Sequence, residues 1–144
     1  MEKTLSLKAV VSSELEKNTG QATIYLLEEE TQTILPICVD SSSAESIILA
    51  QQNLILPRPH THDLMKRLIN CFGGKLNDVI IYDLEDDIFY AYLRLIRGTE
   101  LVEIDARPSD AIAMALRYEV PILAKEDVLL RGGIKISENV MGVA

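Results

Sequence analysis

The sequence predicts an α+β fold, a single compact domain over residues 1–144 with a mostly antiparallel sheet and three main helices. The first observation behind this prediction is that strand patterns are grouped on either side of helix patterns, whereas an α/β chain would alternate them strictly. The second is the length of 144 residues, which suits one hydrophobic core. The third is that no internal repeat, linker or low-complexity segment divides the chain, so we expect one folding unit.

The chain opens with three strand patterns. The apolar residues at positions 5, 7, 9 and 11 alternate with Ser6, Lys8 and Val10, which is the period of a half-buried strand. After a turn predicted at 18–20, two more strands are predicted over 22–27 and 34–39. Strands that follow one another in this way indicate an antiparallel meander.

Two helices are predicted next. Ser42 and Glu45 have the spacing of a capping box, which predicts a helix from there to about residue 53. Pro57 and Pro59 then require an extended connection. Thr61 is predicted as the N-cap of the next helix, which stops at the glycines 73–74. Its apolar face consists of Leu64, Met65, Leu68, Ile69 and Phe72.

Strand patterns return over 79–84 and 88–96, and the acidic loop 85–87 between them suits a hairpin. In the second of these strands Phe89, Ala91, Leu93 and Leu95 share one face and are predicted to lie in the core. Tyr90, Tyr92 and Arg94 share the other face. That face either stacks nucleic acid bases, as aromatic and cationic residues do in single-strand binders, or lies beneath a helix, and the acidic composition favours burial.

The last elements follow from proline and glycine positions. A strand over 101–106 places Glu103 and Asp105 on one face. Pro108 suits the first position of the third main helix, which we expect to run through Tyr118 and to end before Pro121. A short helix is predicted over 125–131, with a glycine beyond its end.

The composition limits the function classes. With 48% hydrophobic and 25% charged residues the chain has the make-up of a globular protein. No apolar run suits a membrane span or a signal peptide, so the cytoplasm is the expected location and no membrane contact is predicted. Cys38 and Cys71 lie in apolar segments without metal-ligand spacing and are predicted to be reduced core residues, which makes zinc an improbable cofactor.

The net charge of −8 argues against a nucleic-acid binder that grips the phosphate backbone with many lysines and arginines. A phosphate-bearing ligand would need a local arrangement of cations or a divalent metal ion that offsets the carboxylates. The glycine pairs do not form a dinucleotide fingerprint, so no phosphate-cradling loop is predicted.

Two polar motifs stand at predicted helix starts. We call residues 58–63 the first polar motif and residues 105–110 the second polar motif. Ordinary capping accounts for much of the second, because Asp110 lies in the first helical turn, Arg107 can pair with Asp105 or Asp110, and Ser109 can form a local hydrogen bond. The functional interpretation has Asp105 and Asp110 converge on a hard cation while Arg107 binds a phosphate or carboxylate. Both interpretations stay open.

The first polar motif holds both histidines of the chain. His62 suits acid–base work or metal ligation, and Asp63 in the opening turn also suits the positive end of a helix. A histidine hydrogen-bonded to a neighbouring carbonyl is the plain structural alternative. His60, between Pro59 and Thr61, is the weaker candidate.

From residue 35 to residue 130 the order of these blocks resembles the bifunctional nuclease family. The blocks that carry the resemblance are Leu35-Pro36-Ile37, Arg58-Pro59-x-Thr61-His62-Asp63, Phe89-Tyr90-Ala91-x-Leu93, Ile104-Asp105-Ala106-Arg107-Pro108-Ser109-Asp110-Ala111-Ile112 and Val120-Pro121-Ile122. The resemblance implies a compact α+β domain and the nuclease activity on RNA and DNA that is attributed to plant relatives. Carried over to this chain, the catalytic candidates are His62, Asp63, Asp105, Arg107 and Asp110, with Arg58 and Ser109 as substrate-binding candidates.

The chain departs from the family pattern at two places. After Leu35-Pro36-Ile37 the family usually has a glycine and then an acidic residue before alanine, where this chain has Asp40 and then Ser43 before Ala44. Position 60, commonly leucine, is histidine. If the missing acid is a metal ligand, Asp40 or Glu45 would have to replace it.

Two functions follow as hypotheses. In the first, the protein is a nuclease for RNA or DNA in which Asp105 and Asp110, with Asp63 as a third candidate, hold Mg²⁺ or Mn²⁺, His62 activates water, and Arg107 or Arg58 steadies the phosphate. In the second, it is a non-catalytic interaction or regulatory module whose polar motifs are caps and ion pairs. Short apolar strands with exposed edges further predict a homo-oligomer. The first hypothesis requires the two motifs to lie within about 10 Å of each other.

Overall fold

A computed structural model describes residues 1–136 of the chain, and one eight-stranded sheet organises them. The strands are β1 (Glu2–Val11), β2 (Gln21–Glu28), β3 (Thr33–Asp40), β4 (Gly74–Glu85), β5 (Ile88–Arg97), β6 (Glu100–Ala106), β7 (Ile122–Lys125) and β8 (Ile134–Lys135). The helices are α1 (Glu14–Thr19), α2 (Ser41–Gln51), α3 (Thr61–Cys71), α4 (Pro108–Tyr118) and α5 (Glu126–Gly132). The strand order is β6-β5-β4-β7-β1-β2-β3-β8, and β4 pairs with β7 in parallel whereas the other neighbours are antiparallel. The predicted α+β class is confirmed.

The predicted meander is present as β1, β2 and β3, and the acidic loop does close the β4–β5 hairpin. Asp86 and Asp87 adopt positive φ angles of 50° and 63° there, which two-residue hairpin turns require. Three elements escaped prediction, namely α1, β7 and β8. Helix α1 is short and polar and lacks apolar periodicity, although Ser13 and Glu16 form its capping box. The predicted turn at 18–20 is the end of this helix, where Gly20 takes the left-handed C-cap position at φ 74°.

Both predicted caps of the middle helices lie one or two residues too late. Helix α2 is capped by Asp40, whose carboxylate accepts a hydrogen bond from the Ser43 backbone N–H at 3.1 Å, and not by Ser42. Helix α3 is capped at His60 and not at Thr61, because the Asp63 carboxylate reaches back to the His60 N–H at 2.9 Å. These shifts matter for function, since they fix where Asp40 and Asp63 point.

The core lies on one face of the sheet, where alternate strand residues are buried against α2, α4 and α5. In β5, Ala91 and Leu93 are buried as predicted. The prediction that Cys38 and Cys71 lie in the core is wrong, because both are exposed. Cys38 falls between the buried Ile37 and Val39 of β3, so alternation turns it outward.

On the other face of β5 the side chains pack against one another and against side chains of other strands. Tyr90, Tyr92 and Arg94 are half-buried, and the Tyr92 ring stacks on that of Tyr82 with centroids 4.0 Å apart and planes 10° apart. Arg94 forms ion pairs with Asp78 of the adjacent strand β4 and with Glu2 of β1, which lies further along the sheet. Among residues 1–136 no helix has the length and hydropathy that crossing a membrane requires.

Candidate functional site

Three helices bring one polar residue each to a common point. Ser46 of α2 lies 2.6 Å from Nδ1 of His62 in α3, and Nε2 of the same ring lies 2.9 Å from Oδ1 of Asp110 in α4. The His62 side chain is only 9% exposed, so the ring is enclosed where the helices meet. We call these residues, together with Arg107 and Asp40, the His62 cluster. The two polar motifs therefore touch, well inside the separation that joint chemistry requires.

The partners of His62 fix its tautomer. A carboxylate only accepts hydrogen bonds, so the contact with Asp110 places a proton on Nε2. The neutral ring then carries a lone pair on Nδ1, which accepts a hydrogen bond from the Ser46 hydroxyl. The result is a hydroxyl, an imidazole and a carboxylate in series.

Arg107 connects this series to the surface. Its Nε donates to Asp110 Oδ2 at 2.9 Å and its Nη2 to Asp110 Oδ1 at 3.2 Å. The side chain is 64% exposed, so one side of the guanidinium faces solvent while the other holds the carboxylate. The hydrogen bond from His62, followed by those from Arg107, lowers the pKa of Asp110 to about 2 although burial opposes this. Asp110 is thus an anion at neutral pH.

Asp40 completes the cluster from the N-cap of α2. Its carboxylate accepts hydrogen bonds from the hydroxyls of Ser42 and Ser43, each at 2.6 Å, and these bonds lower its pKa well below the usual range. Arg107 Nη1 lies 3.5 Å from Asp40 Oδ1. Asp40 and Glu45 were considered as substitutes for the acid missing from the family pattern, and of these two Asp40 contacts Arg107. Glu45 is exposed on α2.

The remaining predicted residues lie outside the His62 cluster. Asp63 accepts hydrogen bonds from Arg117 Nε at 2.8 Å and from the His60 N–H. Burial is the largest single influence on its pKa and raises it, but the bonds from Arg117 and His60 together outweigh burial and leave the pKa below its usual value. Ser109 is buried in the first turn of α4. Arg58 is exposed in the connection before α3.

Asp105 is the predicted site residue that the structure separates most clearly from Asp110. Its carboxylate accepts a hydrogen bond from the Tyr82 hydroxyl at 3.0 Å, on the sheet face of the stacked tyrosines. Ala106, the next residue of β6, packs against the core. Alternation along β6 thus directs Asp105 away from the helices, so the predicted Asp105–Asp110 pair does not form.

The described side chains do not fit a Mg²⁺ or Mn²⁺ ion at this point. Among residues 1–136 no three His, Cys, Asp or Glu side chains are grouped for metal binding. Both oxygens of Asp110 are occupied by His62 and Arg107, and both oxygens of Asp40 by Ser42 and Ser43. A divalent cation would also have to replace the Arg107 guanidinium between the two carboxylates.

Sequence reasoning missed Ser46. A serine inside a predicted helix does not indicate a functional role by itself. Ser46 is distinguished only by its contact with the ring of His62, which lies 16 positions further along the chain in another helix. Asp40 was considered only as a substitute for the missing family acid, although an aspartate three residues before a serine at a strand end is also a good N-cap.

The low pKa of Asp110 leads to a testable pH dependence. The folded pKa of about 2 lies below the ordinary value of 3.8 for an aspartate, so the unfolded chain binds more protons. The stabilisation is therefore complete above about pH 4 and is lost as pH falls through about 2. Over this range we expect wild-type protein to lose on the order of 2 kcal/mol more unfolding free energy than Asp110→Asn. Urea denaturation of both proteins at a series of pH values measures the difference. Parallel pH profiles would contradict it.

Comparisons with known proteins identify one family. A family model described as the bifunctional nuclease domain matches residues 6–137. An uncharacterized protein of Mycobacterium tuberculosis strain H37Rv is 40% identical over 130 residues, which is 90% of this chain and 77% of that protein. Bifunctional nuclease 1 of Oryza sativa subsp. japonica is 28% identical over 118 residues, which is 80% of this chain and 36% of that protein. Bifunctional nuclease 1 of Arabidopsis thaliana is 26% identical over 121 residues, 82% of this chain and 37% of that protein.

Proposed function

The chain belongs to the bifunctional nuclease domain family, and from this membership and the His62 cluster we propose that it hydrolyses phosphodiester bonds of RNA or DNA. The observation that carries the proposal is the series Ser46–His62–Asp110, with distances of 2.6 and 2.9 Å. A hydroxyl beside a base that a third group orients is the arrangement of an activated nucleophile. The plant relatives are named as nucleases, but this chain spans little more than a third of their length.

Ser46 supplies the attacking oxygen in the proposed reaction. Its Oγ forms a bond to phosphorus while its proton passes to Nδ1 of His62, and Asp110 stabilises the imidazolium that results. The bond from phosphorus to the departing nucleotide breaks, and the leaving oxygen takes the proton from His62. Water, deprotonated by the same nitrogen, then cleaves the phosphoserine ester and restores the hydroxyl. This route does not need a ribose 2′-hydroxyl, so it serves RNA and DNA alike.

Arg107 is the group suited to hold the phosphate. Its exposed guanidinium lies against Asp110 and can offer its solvent-facing N–H donors to an incoming phosphodiester. Charge that develops on the phosphoryl oxygens would be stabilised there. Because the described carboxylates do not fit a metal ion, the proposed chemistry uses side chains alone.

A second function has an observation in its favour. Each side chain of the Ser46–His62–Asp110–Arg107 series has a hydrogen-bond partner within the protein, and the series links three helices. Such a network suits a structural connector in a non-catalytic interaction module. The homo-oligomeric state and the cytoplasmic location stay predictions. The exposed apolar side chains of Leu64 and Leu68 in α3, and of Phe72 directly after it, are a surface that an oligomer could cover.

Cleavage assays on single-stranded RNA and DNA test the proposal. We expect Ser46→Ala and Asp110→Asn each to lower the cleavage rate by about 100-fold or more, since both remove a member of the proton relay. Ser12→Ala is the matched control, because that hydroxyl donates to the Gln21 carbonyl and forms no hydrogen bond with a member of the relay. Its rate should equal that of wild type.

Each assay is run with Mg²⁺, with Mn²⁺ and with a chelator. Equal rates under all three conditions support chemistry by side chains, whereas loss of cleavage in the chelator points to the metal ion that the sequence predicts. Equal residual cleavage in wild type, Ser46→Ala and Asp110→Asn identifies a contaminating nuclease and defeats the proposal. In that case the interaction module is the better account.

A further inference from the structure

A cavity of about 580 Å³ opens between α2, the connection 52–60, α3 and α4. This volume lies within the range of small-molecule and cofactor sites. Asp63, which lines the cavity, follows His62 directly in α3, so the cavity wall and the His62 cluster are one residue apart along this helix. Much of its wall is apolar and comes from Leu49, Leu54, Ile55, Leu56 and Leu116.

The charge of the cavity is opposite to that of the chain. Four of the 14 basic residues line it, and these are Arg58, Lys66, Arg67 and Arg117. Two acidic residues, Asp63 and Glu119, accompany them. The local excess of positive charge stands out in a protein whose net charge is −8. A field of this sign attracts anions.

Two of the four cations are committed to the protein. Arg117 donates to Asp63 and to the Ala113 carbonyl, and Lys66 donates to the Arg117 carbonyl at 2.7 Å. Arg58 and Arg67 are exposed, and neither has a hydrogen bond or ion pair with any residue in the described part of the chain. Their donors are therefore available to a ligand.

Apolar side chains lie exposed next to these free arginines. Ile55 is 96% exposed and Leu54 is 53% exposed, and both line the cavity. Exposed apolar surface beside uncompensated cations suits a ligand with a flat apolar part and an anionic part. A nucleotide has both, because its base has an apolar face and its phosphate matches the guanidinium fork.

We propose that this cavity binds a nucleotide unit, with Arg58 and Arg67 on the phosphate and the base against Leu54 and Ile55. The inference rests on the proposed function in one respect, namely that the nucleotide is part of the strand presented to the His62 cluster. A free mononucleotide has the same chemistry as a nucleotide within a strand, and competition between an oligonucleotide and adenosine monophosphate distinguishes the two ligands.

Fluorescence anisotropy with a short labelled single-stranded oligonucleotide measures binding, with adenosine monophosphate and inorganic phosphate as competitors. Binding is measured with wild type and with Ser46→Ala, so that cleavage does not consume the probe. We expect Arg58→Met and Arg67→Met each to raise the dissociation constant roughly tenfold. Lys75→Met removes the same charge from an exposed residue outside the cavity and should change it by less than about twofold.

The outcomes separate the two proposals. Oligonucleotide binding that Arg58→Met and Arg67→Met weaken supports the cavity as a strand site, and binding of adenosine monophosphate alone supports it as a site for a free nucleotide. No binding, or equal binding in all variants shown by circular dichroism to be folded, overturns the inference. If the oligonucleotide binds normally but no protein cleaves it, the nucleotide site in the cavity is supported and the proposed hydrolase is contradicted. If wild type cleaves but neither arginine variant changes binding, the hydrolase is supported and the nucleotide site is contradicted.

Discussion

Replacing His62 with alanine is expected to lower the free energy of unfolding by about 3 kcal/mol. The ring is buried and joins α2 to α4 through Ser46 and Asp110, so its removal leaves a void and takes a partner from two polar groups. In a chain of this length such a loss corresponds to a decrease of roughly 10 °C in the melting temperature. Thermal and urea denaturation followed by circular dichroism measure it.

The matched control is His60→Ala. His60 is exposed, and its contribution to the α3 cap is made by the backbone N–H, which alanine keeps. We expect a change below about 0.5 kcal/mol. If both variants unfold alike, the His62 ring does not connect the helices. If His62→Ala is destabilised as expected but cleaves RNA and DNA normally below its melting temperature, the connector is structural and the relay is not catalytic.

Most of the strands and the start of α4 were predictable from the sequence, because they follow from local rules. Alternation identified β1 and the two faces of β5, β2 and β3 were identified as strand patterns after a turn, and Pro108 identified the first turn of α4. Strand β7 escaped because its partners are β1 and β4, far away along the chain, and four residues after a proline carry little pattern. Its parallel pairing with β4 is a consequence of tertiary structure.

The candidate site was predicted only in part, because local rules identify residues at helix starts but do not show which of them tertiary structure brings together. His62, Arg107 and Asp110 were identified as polar residues at helix starts, and helix starts are where tertiary structure did bring them together. Asp105 was placed with them because it is close in sequence, but the strand period turns it to the other sheet face. Ser46 could not be found because its role depends on the packing of α2 against α3.

Arg94→Met is expected to cost about 3 kcal/mol of unfolding free energy, because it leaves a largely buried carboxylate without its cation. Arg94 Nε donates to Asp78 Oδ1 at 2.5 Å, and its terminal nitrogens donate to both oxygens of Glu2 at 3.0 and 3.1 Å. The side chains of Arg94 and Asp78 are only 16% and 13% exposed, so water cannot replace the lost partner fully. Urea denaturation at neutral pH measures the loss.

Two further variants show whether the stranded carboxylate is the cause. Arg97→Met, in the same strand, breaks an ion pair with Glu100 whose members are 67% and 57% exposed, and should cost less than about 0.5 kcal/mol. The double variant Arg94→Met with Asp78→Leu removes both buried charges and should recover most of the stability, since apolar residues of similar size often replace a buried ion pair at little cost. A double variant as unstable as Arg94→Met would assign the loss to packing of the arginine stem. Recovery would instead show that the unpaired charge of Asp78 causes the loss. The buried charges on this face of the sheet are then tolerated because Arg94 of β5 is paired with Asp78 of β4 and Glu2 of β1.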